Sequence, residues 1–332
     1  MRAMVLHRQG PAEQRPLRLE EVPQPSPGSG EVRVRVSVCG VCHTDLHIVE
    51  GDIHPPSFPL IPGHQVVGII DAVGANVKTH REGDRVGIPW LYSTDGSCAY
   101  CRRGQENLCE AARFTGFHVN GGYAEYVIVP AESAYAIPQA FTDLNAAPLL
   151  CAGVIGYRSY RLTGIRKGGT IALLGFGGSA HIVLQLAKYE GCTVYVITRT
   201  EMHQRLAHEL AADWVGTAQD HLPSLADAAI VFAPAGPLVL NALRAVRKGG
   251  TVALAGITMS DIPQMPYELL YHERVLRSVA NSTHQDVREF LALAAEVPIQ
   301  TTVDEFPLDQ ANEAILAMKH SKVEGAAVLR VI

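Results

Sequence analysis

The run Thr170-Ile171-Ala172-Leu173-Leu174, followed at once by Gly175-Phe176-Gly177-Gly178-Ser179-Ala180, restricts the fold more than any other stretch of this chain. The apolar residues read as a buried strand, and the apolar periodicity that continues through Lys188 reads as a helix. Between the two, the glycines allow a tight turn and let backbone N–H groups approach a pyrophosphate seated at the helix N-terminus. A GxGxx(G/A) string by itself is weak evidence. Set between a strand and a helix, it implies a dinucleotide-binding βαβ unit with contacts from Gly175, Gly177, Gly178, Ser179 and Ala180; the competing reading is a turn that is merely tight.

From about residue 150 onward, short apolar strands alternate with helical stretches, as a parallel sheet with crossover helices requires. An internal echo supports this. Ile165-Arg166-Lys167-Gly168-Gly169-Thr170-Ile171-Ala172-Leu173 recurs as Val246-Arg247-Lys248-Gly249-Gly250-Thr251-Val252-Ala253-Leu254, each copy a basic turn feeding a buried strand. A doubly wound sheet is built from two such halves about a switch point. The N-terminal part reads differently. Val32, Val34, Val36 and Val38 alternate with Arg33, Arg35 and Ser37, the period of a half-buried strand. Further short apolar runs at 66–72, 86–88 and 124–129, punctuated by Gly and Pro, predict a mostly-β region. Near the C-terminus, a helix-like run at 287–295 precedes more short strands.

Length and charge bound the function. At 332 residues the chain exceeds one ordinary core and suggests two domains, and 47% hydrophobic with 18% charged residues is globular composition. A net charge of −5 gives no basic surface for a phosphate backbone, so nucleic acid is not an expected partner. Polar His7 comes too early for a secretory leader, and no apolar run is long enough to cross a bilayer; the expectation is a cytoplasmic protein without a membrane role. Three of the seven cysteines crowd one loop, which fits metal binding better than a disulfide framework.

The thiols and imidazoles are concentrated elsewhere too. Cys39, Cys42, His43, Thr44, Asp45 and His47 follow one another closely, and Gly63-His64-Gln65 comes after a proline-rich loop. A catalytic zinc takes three protein ligands and leaves its fourth position to water or substrate. Cys42 and His64 are the first two candidates and Cys151 the third, while Asp45 is placed to orient an imidazole ligand through its second nitrogen.

Cys42-His43-Thr44-Asp45-Leu46-His47, then Gly63-His64, then Leu150-Cys151-Ala152-Gly153 before the glycine turn, resembles the zinc-dependent medium-chain alcohol dehydrogenases, and the resemblance runs essentially end to end. It implies an α/β plus β architecture: a GroES-like catalytic domain over 1–150 and 284–332, and a doubly wound Rossmann domain over 151–283. The implied reaction is reversible oxidation of a primary or simple secondary alcohol to its aldehyde or ketone, with hydride transfer to NAD(P). Zinc acts there as a Lewis acid on the alcohol oxygen. The resemblance assigns the proton route to Thr44 and His47, cofactor contacts to His43 and His284, and only packing to Cys39. It also implies a homo-oligomer, dimer or tetramer.

Several positions depart from the family pattern. Gln65 stands where a Glu is usual, and a neutral amide leaves a zinc site more electrophilic. Cys98, Cys101 and Cys109 match three of the four thiolates of the family's structural zinc lobe, and Asp95 falls at the fourth place; carboxylate oxygen ligates zinc, although Thr94-Asp95-Gly96 is also an ordinary turn signature. His284 lies where relatives carry an Arg. Trp90 matches a pocket-lining position, with a core role as the alternative, and Ile53 replaces a frequent Trp, which widens the pocket.

For the cofactor, the strand at 193–197 ends in Thr198-Arg199-Thr200 where an NAD enzyme carries an acid for the ribose hydroxyls. A guanidinium beside hydroxyls favours a 2′-phosphate, hence NADP, with NAD as the alternative if Arg199 is only solvated. Two other readings compete with the alcohol dehydrogenase: a zinc-free quinone or enal reductase of the same superfamily, which lacks the Cys42, His64 and Cys151 set, and a non-catalytic NADP sensor, which has no use for Thr44 and His47.

Overall fold

The computed structural model describes residues 1–297 and 299–332. The chain forms two compact units: Met1–Cys151 with Ser282–Ala295 and Thr301–Ile332, and Ala152–Asn281 with Glu296–Gln300. Residues 296–300, expected with the first domain, pack with the second unit. Gln185 explains this, since its Nε2 donates to Gln300 O at 2.8 Å and its Oε1 accepts from Gln300 N at 2.7 Å.

The first unit is built round a seven-stranded sheet. In order it runs Val303–Pro307, Ala326–Arg330, Glu31–Val41, Gln65–Val73, Arg85–Ile88 and Tyr135–Ala136, with Tyr126–Pro130 also paired to Glu31–Val41. The alternating valines are fully buried, and Arg33 on the other face forks onto Asp71 with both N–O distances 3.0 Å. That strand continues past the predicted 31–38 through Cys39, Gly40 and Val41, all buried. Alternation is lost there because both faces are covered. The extension matters: it carries the chain to Cys42 at the strand end, in register with Gly40 opposite Gln65.

The second unit is an all-parallel six-stranded sheet ordered Trp214–Gly216, Thr193–Ile197, Thr170–Leu174, Ala226–Val231, Val246–Leu254, Val275–Ser278. Ile171 to Leu174 have no measurable exposure, as expected of central strands covered on both faces. The order reverses direction between Thr170–Leu174 and Ala226–Val231, which is the switch point where such sheets bind nucleotides. The two echoed segments flank Ala226–Val231, and its Asp227 serves both: Oδ2 accepts from Thr170 N at 2.7 Å, and Oδ1 pairs with Arg247 Nε at 2.6 Å. Among the described residues no helix is long and apolar enough to cross a membrane.

Candidate active site

Cys42 ends the strand Glu31–Val41 and caps the helix His43–Glu50. Its extended backbone (φ −137°, ψ 176°) turns the chain, its sulfur accepts from Thr44 N at 3.3 Å, and its own N–H donates to Asp45 Oδ2 at 2.9 Å. This is a capping box in which a thiol replaces the usual hydroxyl. His64 reaches the same place from the start of Gln65–Val73. Gly63 before it lies at φ +97°, and a Cβ there would come within 2.3 Å of the Tyr123 ring, so only glycine delivers the imidazole. Cys151 follows the 3₁₀ turn Ala147–Leu150. The two sulfurs and an imidazole nitrogen all lie within 4.8 Å of one another, with His64 Nε2 3.3 Å from Cys42 Sγ.

The chemistry of this donor set fits a soft divalent cation. Burial opposes a charged His64, but Cys42 and Asp45 outweigh it and hold its pKa well above the usual value; the Cys42 thiol is pushed up by its hydrogen bond with Cys151 and by burial. Two sulfurs and an imidazole packed this closely compete for protons that have little room, and a zinc ion with thiolate and imidazole ligands would resolve the competition. Asp45, wholly buried, stands behind the imidazole with Oδ1 3.3 Å from His64 Nδ1, and the same oxygen accepts from Gly63 N at 3.2 Å. The contact with Nδ1 is a close charge approach rather than an aligned hydrogen bond.

Around this centre, Thr44 is buried and His47 lies one turn further along the same helix face, while His43 is exposed at the helix start with its ring centroid 6.4 Å from that of His47. Trp90 sits with its ring 5.9 Å from His64 and stacks on Phe114 at 4.4 Å. Ile53 packs against the core of the first unit. Gln65 is buried, and a Cβ on Gly40 would meet its side chain at 2.9 Å.

A second donor cluster joins Asp95, Cys98, Cys101 and Cys109, again within 4.8 Å. Asp95 Oδ1 accepts the N–H groups of Ser97 and Cys98 at 2.7 and 2.8 Å, while Oδ2 faces Cys109 Sγ at 3.3 Å. Those two N–H groups, Cys98 first, hold the carboxyl well below the ordinary range. The turn role and the ligand role of Asp95 are therefore compatible, one oxygen serving each.

In the second unit the glycine turn tests its own fit to a cofactor. Gly175 has φ +89° and a Cβ there would stand 2.7 Å from Ala233 N, so protein geometry demands that glycine. Gly177 has φ −133° and a Cβ there meets nothing within 4 Å. Packing does not require glycine at 177, whose backbone (φ −133°, ψ −149°) lies just beyond the extended region; room for a phosphate at this helix start would account for it. Gly177 caps the helix Gly178–Tyr189 without a side-chain bond, leaving the first-turn N–H groups of Gly178, Ser179 and Ala180 to an anion. Thr198 is buried with its N–H on Gly216 O at 2.9 Å, and Arg199 is exposed.

Two arrangements escaped the sequence reading. His284 Nδ1 pairs with the Tyr135 hydroxyl and its backbone N–H donates to Glu106 Oε1 at 3.3 Å, so one ring nitrogen is committed inside the first unit. No local pattern joins residues so far apart. Asp52 Oδ2 lies 2.6 Å from His47 Nδ1. Here a signal existed: Gly51 is a natural helix C-cap, which returns the next residue to the last turn.

A doubly wound nucleotide sheet and a Cys-His-Cys donor centre in one chain define a zinc-dependent dehydrogenase. Comparison with known proteins agrees. Residues 28–139 match the alcohol dehydrogenase GroES-like domain and residues 178–296 match the zinc-binding dehydrogenase domain. The probable alcohol dehydrogenase AdhA of Mycobacterium tuberculosis is 46% identical over 99% of this chain and 97% of its own length. An alcohol dehydrogenase of Geobacillus stearothermophilus is 38% identical, covering 95% of each. Among solved structures, the cobalt- and zinc-bound thermostable alcohol dehydrogenase of Pyrobaculum aerophilum superposes with a TM-score of 0.91 at 25% identity, over 100% of this chain and 99% of that one. The chain belongs to the zinc-dependent medium-chain alcohol dehydrogenase family.

Proposed function

We propose that Cys42, His64 and Cys151 hold the catalytic zinc of an NAD(P)-dependent alcohol dehydrogenase, and that Asp95, Cys98, Cys101 and Cys109 hold a second, structural zinc. The observation that carries this reading is the convergence of three donors on one point with Asp45 behind the imidazole. When bound, the catalytic zinc supplies a Lewis acid that lowers the pKa of an alcohol oxygen. The Thr44 hydroxyl then accepts the proton and passes on its own, as a group that donates and accepts at once. His47, one turn along and nearer solvent, takes that proton outward. A bound NAD(P) would supply the hydride acceptor; in the first unit His43 and His284 are assigned to cofactor contacts, and in the second the turn at 175–180 is assigned to the pyrophosphate.

The substrate is a primary or simple secondary alcohol or its carbonyl partner, with Trp90 forming a wall beside His64 and Ile53 leaving space where relatives carry a larger ring. The exposed Arg199 next to Thr198, with no acid at that strand end, favours NADP over NAD. Free thiols throughout suit a reducing, cytoplasmic compartment, and the family resemblance suggests a homo-oligomer. The test is nicotinamide absorbance with a panel of alcohols and aldehydes and both cofactors, alongside elemental analysis. Turnover with zinc present is expected; protein purified gently without zinc, or inert toward every alcohol and carbonyl, overturns the reading.

A further inference from the structure

The helix His43–Glu50 ends on Gly51 in the left-handed region (φ 95°, ψ 16°), and the chain folds back over the last turn. The N–H groups of Gly51, Asp52 and Ile53 converge on the His47 carbonyl at 3.0, 3.0 and 3.3 Å. Gln9 braces this reversal from outside. Its Nε2 donates to the carbonyls of Ile48 and Ile53, each at 2.7 Å, and its Oε1 meets His54 Nδ1 at 2.8 Å. The result is a carboxylate fixed against an imidazole: Asp52 Oδ2 stands 2.6 Å from His47 Nδ1, with the His47 side chain 14% exposed and that of Asp52 54%.

We infer that Asp52 is a positioning residue for alcohol oxidation: it accepts the Nδ1–H of His47 and thereby keeps the neutral imidazole in the tautomer whose lone pair is on Nε2. The inference rests on the reading of His47 as the residue that carries the proton outward. A neutral imidazole takes a proton only at the nitrogen that lacks one. With Nδ1–H held on Asp52, the lone pair lies on Nε2, the nitrogen able to take the proton passed on by Thr44. The imidazolium so formed keeps its Nδ1–H on the carboxylate, whose charge offsets its own, and returns one proton to water or buffer; no oxidant or further reactant is needed. A cation packed against this helix is engaged elsewhere. Lys319, from the helix Ala311–Lys319, pairs with Glu50 at 2.7 Å and with Glu13 at 2.8 Å, and the His43 ring centroid lies 6.4 Å from that of His47.

A double-mutant cycle on the zinc-loaded full chain tests this. Asp52→Ala should lower kcat on the order of tenfold, part of the usual 10²-fold or more for a general acid–base step, with the cofactor KM unchanged and external imidazole restoring part of the rate. In a His47→Gln background the same substitution should cost nothing further, because contacting residues acting through one group are not additive. In the wild type, ¹⁵N spectra should show His47 protonated on Nδ1. The same loss in both backgrounds, or a wild-type proton on Nε2, overturns the inference alone and leaves the proton role of His47 standing. A His47→Gln enzyme as fast as wild type overturns that role as well.

Discussion

Asp45 and His64 meet with Oδ1 3.3 Å from Nδ1 and neither side chain exposed, while the same carboxylate accepts the N–H groups of Cys42 and Gly63. One buried acid thus binds the cap that presents the first sulfur and the loop that presents the imidazole, and faces the imidazole itself. Asp45→Asn keeps the volume and some of the acceptor capacity but removes the charge facing Nδ1. The expected outcome is a loss of roughly 10- to 100-fold in zinc affinity or in kcat/KM, the usual scale for a carboxylate behind a metal-bound histidine. Chelator competition followed by steady-state kinetics measures both.

Removing a ligand outright should separate chemistry from nucleotide binding. Cys42→Ala and His64→Ala are expected to abolish turnover while NAD(P)H still quenches or shifts protein fluorescence at wild-type concentrations, because the glycine turn belongs to the other compact unit. With two donor clusters, elemental analysis should find two zinc ions per chain, falling to one in Cys98→Ser with activity largely retained.

Much of this scaffold was legible because its signals are local. The strands Thr170–Leu174 and Thr193–Ile197 fall on their predicted residues, since apolar β-prone runs bounded by Gly leave little choice, and the alternating valines mark Glu31–Val41. The alternation predicts only 31–38 of that strand, because Cys39, Gly40 and Val41 are buried together and break the period of two. The candidate donors Cys42, His64 and Cys151 were legible as a set through the family motifs that carry them, and the fold brings their donor atoms within 4.8 Å of one another. What escaped depends on distant partners: Tyr135 on His284, Gln185 on Gln300, and Gln9 bracing the turn that brings Asp52 to His47. Those contacts exist only after the sheet has set the loops side by side.

The first two glycines of the nucleotide turn, Gly175 and Gly177, should respond differently to the same substitution. Gly175→Ala forces a side chain into φ +89° and against Ala233, so it should lower Tm and reduce the yield of folded protein. Gly177→Ala meets nothing within 4 Å and sits just beyond the extended region at φ −133°, ψ −149°, so the unfolded-chain gain and the mild backbone cost nearly offset and stability should change by less than about 1 kcal/mol. Its Cβ instead occupies space an approaching phosphate needs, and the Kd for NAD(P)H should rise at least tenfold. Thermal melts and fluorescence titration together distinguish the cases.

His181 should give the second unit a measurable acid limb. Its ring is wholly buried, Nδ1 lies 3.2 Å from Gly177 O, and burial pushes its pKa down to about 4. A histidine depressed in the folded state is neutral in both states above about pH 6.5, so its contribution is fully present there. As pH falls from about 6.5 toward 4, the unfolded chain binds a proton that the folded chain refuses, and up to roughly 3 kcal/mol is lost at about 1.4 kcal/mol per pKa unit. His181→Leu should therefore flatten the fall in denaturant midpoint between pH 7 and pH 4.5, even if it lowers stability at neutral pH. An equally steep fall in the variant would assign the acid limb to other groups.

Cofactor choice turns on two adjacent residues at the end of Thr193–Ile197. An NAD enzyme of this fold places a carboxylate there, which accepts from the adenosine ribose hydroxyls and repels a 2′-phosphate. Thr198, buried and tied by its N–H to Gly216 O, fills that place, and Arg199 follows it with its side chain exposed. Glu201 opens the next helix in its first turn, the one acid near enough in sequence to oppose the guanidinium. A 2′-phosphate on Arg199 gains a charge-assisted contact of about 1.5 to 3 kcal/mol, and about 1.4 kcal/mol is tenfold in affinity, so NADP should be preferred by roughly ten- to a hundredfold. Thr198→Asp with Arg199→Gly supplies the missing acid and removes the cation, and should reverse the preference. Glu201→Gln in the wild type should sharpen it. The comparison is kcat/KM for the two cofactors across the three proteins. A wild type that prefers NAD, or a double substitution without effect, would mean that Arg199 points into solvent and that the ribose is recognised elsewhere.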